Sequence, residues 1–541
     1  MPDKLSFDLI RRDRYAGAIM AAQSMLRSAG IVMLSTLTSR VMGFVRDMIV
    51  AACFGASASL DGFFIAFRIP NLLRRLVAEG ALTISFIPVY TEYLVNRGDR
   101  EALELAQKTL SILLVVLASL CALGIVFSPE IVRLFAYGFT DEAALALTTD
   151  LNRIMFPYLF FVGLVAFAMG VLNSHGYFFA PAFSPVLLNV GFIVGALFFR
   201  KLFDEPLHGL AWGVIFGGVL QTVLQIPYMV KSGFRLRFSI DFKHPGIRSI
   251  FRLIAPAVFG IAVYQINIFM STVLASMLAP GSISYLYYSD RLTEMVLGIF
   301  IISIGNVILP EMSRVSARDD LGALKLIYIR SVRAALFLAV PAAAALMAAG
   351  LPIVSVLFMR GAFTAYHAEM TARALFYASI GIASVAVLRI TTPTFYSLKD
   401  TRTPVVTSAV SFVLNIGLGY VLMRTALAHA GLSLANSISG TVQVGLLLWW
   451  LFRKIGAVAA RQLVVPIVKY CLASGVMVAV ILFVAGGVDW MKDPFARRAL
   501  FLALVVASGG AAYLLACLAL GVEEMRYIVD KVRSVARRRR E

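Results

Sequence analysis

Residues 28–55 read SAGIVMLSTLTSRVMGFVRDMIVAACFG. At about 1.5 Å of rise per residue, a helix of this length crosses the hydrocarbon core of a bilayer. Yet it holds Arg40, Arg46 and Asp47 well inside its apolar run. A guanidinium at the centre of a membrane costs about 2.5–3.5 kcal/mol on insertion scales, so such groups turn away from lipid and meet water, a ligand or an opposite charge. The stretch therefore predicts a spanning helix with one polar, inward face.

Outward from it, similar apolar runs fill the chain. They predict about fourteen spans, near 28–55, 61–91, 107–127, 145–172, 179–199, 207–229, 250–278, 285–310, 331–349, 374–398, 403–423, 431–452, 464–485 and 499–520. Of the 541 residues 60% are hydrophobic and 15% charged, against roughly half and a quarter in soluble domains. The fold class is an all-α polytopic membrane protein, with no polar stretch long enough for a separate soluble domain. The polar lead with Lys4, Arg11, Arg12 and Arg14 lacks the short apolar core and cleavage site of a secretory signal.

The net charge of +19 raises nucleic acid as a partner, but its distribution points elsewhere. Loops on the side of the termini carry about threefold more Lys and Arg than the opposite loops, the asymmetry of a membrane protein with both termini cytoplasmic. The basic charge reads as topology and contact with an anionic leaflet. Cys53, Cys121, Cys471 and Cys517 lie in apolar segments without C-x-x-C spacing, which argues against a disulfide framework or zinc site. The five histidines form no metal pattern, and no cofactor is implied.

The two halves resemble each other. Gly209, Leu210, Gly218 and Gln221 recur as Gly431, Leu432, Gly440 and Gln443, and Leu188-Asn189-Val190-Gly191 returns as Leu414-Asn415-Ile416-Gly417. Six spans per repeat make the halves parallel, a transporter architecture. The expected organisation is a tail over 1–27, an N-lobe over 28–230, a C-lobe over 231–453, two extra spans over 454–521 and a basic tail over 522–541.

Further charges lie inside spans: Arg68, Arg74, Arg75, Arg291 and Arg389, with Arg153 nearer a span end, beside Asp61, Glu79, Asp290 and Glu294. Spacing pairs Arg75 with Glu79 and Arg291 with Glu294 on one helix face each, and sets Arg40 two turns from Asp47. The cations still outnumber the acids, which invites an anion, and arginine's planar fork suits phosphate or carboxylate oxygens. Internal ion pairing alone is the other reading of the same residues.

The run Ser39-Arg40-Val41-Met42-Gly43-Phe44-Val45-Arg46-Asp47 resembles the first-span signature of the MurJ (MviN) family of lipid II flippases. So do Asp61-Gly62-Phe63-Phe64, Pro70-Asn71-Leu72-Leu73-Arg74-Arg75, Ala78-Glu79-Gly80-Ala81 and Tyr287-Tyr288-Ser289-Asp290-Arg291-Leu292. The resemblance implies the fold of the MOP exporter superfamily, two six-helix lobes plus two extra helices in spans 13 and 14 that form a groove for a prenyl tail. It implies that lipid II, an undecaprenyl-pyrophosphate-linked substrate, crosses the inner membrane by alternating access through a central cationic cavity. By the same resemblance Arg40, Arg46, Asp47, Asp61, Arg74 and Arg291 form the transport site, with Asn71, Arg75, Glu79, Asp290 and Glu294 as seconds. Some members resemble sodium-coupled transporters with carboxylates in the seventh and eleventh spans. Residues 250–278 and 403–423 contain none, which makes a sodium site doubtful and leaves coupling to membrane potential or another ion gradient open. The alternative is export of another lipid-linked oligosaccharide, or of drugs, on the same fold. An enzyme is not expected, because the chain has no D-x-D, H-E-x-x-H or P-loop motif. The cell-wall synthesis machinery is an expected partner.

Overall fold

The structure is a computed structural model that describes residues 3–76, 82–318, 320–456 and 460–538, with backbone alone over 3–28, 255–257, 259–261, 263–264, 299–309, 460, 528, 531–533 and 535–538. No strand occurs among the described residues. In a solvent without water, helices satisfy every backbone N–H and C=O within one segment. Two compact units emerge: Met1–Val50, Gly62–Ala136 and Thr140–Ile266 form the first, and Ala51–Asp61, Tyr137–Phe139 and Asn267–Glu541 the second.

The first unit holds most of α1 (Asp3–Phe54) and α2 (Ala58–Leu73), then α3 (Thr83–Arg97), α4 (Asp99–Val126), α5 (Ser128–Phe135), α6 (Glu142–Met155), α7 (Tyr158–Ser174), α8 (Phe179–Leu197), α9 (Pro206–Lys231) and the start of α10 (Pro245–Ser276). The second holds the end of α10, then α11 (Ser282–Ser316), α12 (Leu321–Ala348), α13 (Gly350–Leu357), α14 (Ala365–Ser379), α15 (Ile382–Ser397) and α16 (Arg402–Leu422). It continues with α17 (His429–Ile455), α18 (Ala460–Ala485), α19 (Phe495–Ala519) and α20 (Glu523–Arg538). Among the described residues nine helical stretches are long and apolar enough to cross a membrane, or ten with the pair α14 and α15, which bends by 44°. They match the third to sixth and ninth to fourteenth expected spans. The first, seventh and eighth expected spans fall in α1, α10 and α11. The second begins in α2 and ends in α3, and its residues 77–81 lie outside the described residues.

Close backbone approach joins α8 to α9. A Cβ on Gly191 would stand 2.5 Å from Gly213 O and Gly217 N, and one on Gly213 would stand 2.6 Å from Gly191 O. Without a hydrophobic driving force between helices in lipid, such small-residue contacts supply the packing. Polar joints add to it. Gln221 Nε2 of α9 donates to Ser184 O of α8 (3.1 Å), and Asn189 Nδ2 of α8 donates to Ser39 O of α1 (3.1 Å). The second unit repeats both joints: Gln443 Nε2 of α17 donates to Ser408 Oγ of α16 (2.9 Å), and Asn415 Nδ2 of α16 donates to Asn267 Oδ1 of α10 (3.2 Å).

The segment after α9 is strapped along α4, which explains why it stays with the first unit. Gln107 Nε2 donates to Arg235 O (2.8 Å), Ser239 N donates to Ser111 Oγ (2.9 Å), and Lys108 pairs with Asp241 at 3.1 Å. A matching tie in the second unit centres on Asp400, between α15 and α16. Burial alone would raise its pKa. Hydrogen bonds from Lys454, from the Thr403 hydroxyl (2.6 Å) and from the Thr403 amide (3.0 Å) outweigh that and hold it at about 2.

These contacts have measurable consequences. Gly213→Leu forces α8 and α9 apart and is expected to destabilise the chain by about 1–3 kcal/mol, read as a lower melting temperature in detergent. The Asp400 tie has a depressed folded pKa, so its contribution is complete above the ordinary carboxylate value of 3.8 and is lost as pH falls through about 2. Limited proteolysis near residues 398–402 is expected to accelerate across that window in the parent chain and to be already fast, and nearly pH-independent, in Asp400→Asn.

Candidate functional site

Consider first the charges of α1. Arg46 and Asp47 are 5% and 4% exposed. The guanidinium grips one carboxylate oxygen twice, Nε to Oδ1 at 2.9 Å and Nη2 to Oδ1 at 2.7 Å. Its carbon lies 4.7 Å from the centre of the Phe192 ring of α8. Phe192 in turn meets Phe63 and Phe67 of α2 edge-on, with centroids 6.0 and 5.1 Å away. A buried cation thus has a counter-charge on one side and an aromatic face on another, the two interactions that make burial tolerable. Spacing had set Arg40 and Asp47 on one face; the structure gives Asp47 to its chain neighbour Arg46, while Arg40 is exposed. Gly43, between them on the helix, lets the Asn189 side chain pass at 3.6 Å from where a Cβ would stand.

Arg74 lies in π-helical backbone at residues 74–76, directly after α2, and is half-buried; Asn71 is half-buried and Arg75 exposed. A π turn widens the helix and swings successive side chains off their α-helical bearing, a feature frequent at functional sites. The expected Arg75–Glu79 pair lies outside the described residues, because Glu79 does.

In the second unit Arg291 sits on α11. Its Nε and Nη2 both donate to the Tyr287 hydroxyl at 3.3 Å, and its Nη1 meets Glu294 Oε2 at 3.3 Å. The guanidinium is also 5.2 Å from the Tyr287 ring centre. The i,i+3 pair with Glu294 is therefore formed, and Asp290 and Glu294 are exposed.

Asp61 takes its hydrogen bonds from backbone and hydroxyl donors. It is 2% exposed, and three donors fill its carboxylate: Gly281 N to Oδ2 at 2.7 Å, Ser284 N to Oδ1 at 2.8 Å, and Ser284 Oγ to Oδ1 at 2.6 Å. Gly281 is the left-handed cap of α11, with φ of +91°. Asp61 thereby caps that helix from another segment, where the positive end of its dipole favours a carboxylate. Neighbouring contacts hold the same segment: Ala362 N donates to Ala52 O at 2.9 Å, and Gly361, with φ of +58°, lets Ala52 O approach.

Arg68 is half-buried, and Arg153 and Arg389 are exposed; Arg153 pairs with Asp150 at 3.3 Å. One buried cation escaped the sequence reading. Arg498 lies just before the expected span near 499–520, yet it is 7% exposed in the first turn of α19, and its Nη1 donates to Ser355 O (3.4 Å) and Trp490 O (3.3 Å). Its only sequence signal was its place directly before an apolar run. Among the described residues no three His, Cys, Asp or Glu side chains group to hold a metal.

A further prediction separates the buried pair from the exposed acids. Asp47→Asn removes a carboxylate charge from beside the buried Arg46 and is expected to cost about 3–5 kcal/mol, whereas Asp290→Asn is expected to leave stability within about 0.5 kcal/mol. Thermal unfolding of the two variants in detergent checks the difference.

Comparison with known proteins places this geometry in a context. The family model described as lipid II flippase MurJ matches residues 50–506. The probable lipid II flippase MurJ of Vibrio cholerae serotype O1 is 38% identical over 519 residues, covering 93% of this chain and 98% of that protein. The lipid II flippase MurJ of Burkholderia cenocepacia is 36% identical over 426 residues, 78% of this chain and 82% of that protein. A solved structure of lipid II flippase MurJ in an inward closed conformation superposes with a TM-score of 0.76 at 24% identity, over 92% of this chain and 99% of that one. An inward-facing multidrug resistance MATE transporter of the MOP superfamily shares the fold, with a TM-score of 0.67 at 16% identity, over 77% of this chain and 94% of that one.

Proposed function

Because the chain belongs to the MurJ family of lipid II flippases, we propose that it carries lipid II from the inner to the outer leaflet of the bacterial cytoplasmic membrane. The observation that carries this reading is the 38% identity maintained over 98% of a relative's length. It is a transporter, and no covalent chemistry is required of it. The excess of Lys and Arg in loops on the side of the termini supports placing both termini in the cytoplasm.

For the finer mechanism, Arg40, Arg46 and Arg74 of the first unit and Arg291 of the second are the groups we assign to the pyrophosphate. Two of these guanidiniums are matched by chemistry a phosphate can replace: Asp47 for Arg46, and Glu294 with the Tyr287 hydroxyl for Arg291. Arriving oxygens exchange with those partners, so a charged head group binds without leaving an arginine stripped of counter-charge. Asn71, Arg75, Glu79 and Asp290 are assigned as supporting polar groups. The prenyl tail remains in apolar surroundings along α18 and α19, and only the head group needs a polar path. Rocking of the lobes gives alternating access. The driving force is membrane potential or an ion gradient, and the wall-synthesis machinery consumes the product.

Organic cations, the cargo of many multidrug exporters, would be repelled by an arginine-rich path, which favours the anionic lipid over a drug. The deciding measurement is outer-leaflet accessibility of lipid II in cells depleted of the protein. Depletion is expected to abolish it, and unchanged accessibility would refute the proposal. Arg74→Ala and Arg291→Ala are each expected to insert at normal levels and to lower accessibility at least about 10-fold, consistent with losing charge-assisted hydrogen bonds of about 1.5–3 kcal/mol. Full activity at matched expression removes that residue from the site.

A further inference from the structure

Where α19 ends, the chain turns through Gly521, with φ of +62°, into α20. A cavity of about 480 Å³ opens at this elbow against α12 and α18. Arg333, Arg461, Lys469, Glu523 and Glu524 form its charged wall. Arg40, Arg46, Arg74 and Arg291 are not among its lining residues.

The charges in this wall are unequally matched. Arg333 consumes both acids, with Nη2 2.6 Å from Glu523 Oε2 and Nε 2.7 Å from Glu524 Oε1. Arg461 is exposed, and Lys469 is half-buried with its ammonium donating to Gly521 O at 3.3 Å. Neither has a carboxylate partner among the described residues. Lys469 keeps two of its three N–H donors and Arg461 its planar fork. A third cation stands close by, since Arg526 Nη2 lies 2.9 Å from where a Cβ on Gly521 would be.

From this hollow an apolar stripe runs along α18. Val465 lines the cavity, and Val468, Leu472 and Val476 follow at helical spacing, 44% to 57% exposed. Residues 461–485 are a candidate span, so the stripe faces hydrocarbon while the cations stand at its polar end. A cationic hollow continuous with an apolar helical face has the shape of a phospholipid's surroundings, and basic pockets between spanning helices are known to hold anionic head groups. A free anion would have no use for the stripe.

We propose that this elbow is a binding site for an anionic glycerophospholipid, with Arg461 and Lys469 on the phosphate oxygens and an acyl chain along Val468 and Leu472. Such a lipid bridges the start of α18 to the turn between α19 and α20. Glu523, 75% exposed at its side chain, stands among these cations and weakens the attraction.

The test uses the full chain in detergent, with native mass spectrometry counting retained phosphatidylglycerol, phosphatidylcholine or inorganic phosphate. The parent is expected to retain phosphatidylglycerol over phosphatidylcholine. The double variant R461Q/K469Q is expected to lose that preference by about 10-fold or more, at about 5-fold per charge. E523Q, which removes an exposed acid while Glu524 still holds Arg333, is expected to raise retention about 2- to 5-fold. Millimolar inorganic phosphate is expected not to displace the lipid. Equal retention of the two lipids by the parent, unchanged preference in the double variant, no gain in E523Q, or displacement by inorganic phosphate would each overturn the proposal. Should the double variant aggregate, the gain expected of E523Q decides alone.

Discussion

A carboxylate removed from water must have its oxygens filled, and in this chain that requirement binds distant segments together. Asp61 accepts two amides and a hydroxyl from residues 281 and 284, some 220 positions away. By doing so it fixes residues 51–61 within the second unit although α1 and α2 on either side belong mainly to the first. The segment joins the end of α1, which carries Arg40 and Arg46, to the start of α2, which leads to Arg74. Asp61 thus caps α11, its oxygens filled by residues 281 and 284.

The arginines obey the same constraint by other means. Arg46 is matched by Asp47 and by the face of Phe192, and Arg291 by Glu294, the Tyr287 hydroxyl and its ring. Matched cations are stable in a low-dielectric interior, where stranded ones are not. They also set the terms of binding, because a ligand shifts such an arrangement only by as much as it outbids the resident partners.

The two halves use the same polar joints with different tightness. In each, a glutamine of the sixth or twelfth expected span bonds the span before it, and an asparagine of that preceding span bonds the first or seventh. Hydrogen bonds between spanning helices contribute about 0.6–2 kcal/mol each, enough to set register. The glycines differ. A Cβ added to Gly191 or Gly218 would meet neighbours at 2.5 and 3.0 Å, whereas one on their counterparts Gly417 and Gly440 would meet nothing within 4 Å. In the first unit Gly191 thus brings α8 and α9 into backbone contact, whereas the space beside Gly417 and Gly440 in the second is open.

What the sequence alone determined is what depends on neighbours along one helix. Apolar runs of sufficient length marked the spans, because hydropathy and rise per residue are local properties. The arginines within them were conspicuous for the same reason, and the Arg291–Glu294 pair was legible from i,i+3 spacing. Tertiary structure decided the rest. Spacing offered Asp47 to Arg40, but the cross-helix face of Phe192 accompanies a pairing with Arg46 instead. The role of Asp61 rested on a glycine cap in another segment, and the burial of Arg498 on carbonyls contributed by residues 355 and 490. Helical periodicity reports which side a residue faces; which group waits there depends on how helices far apart in the chain are packed together.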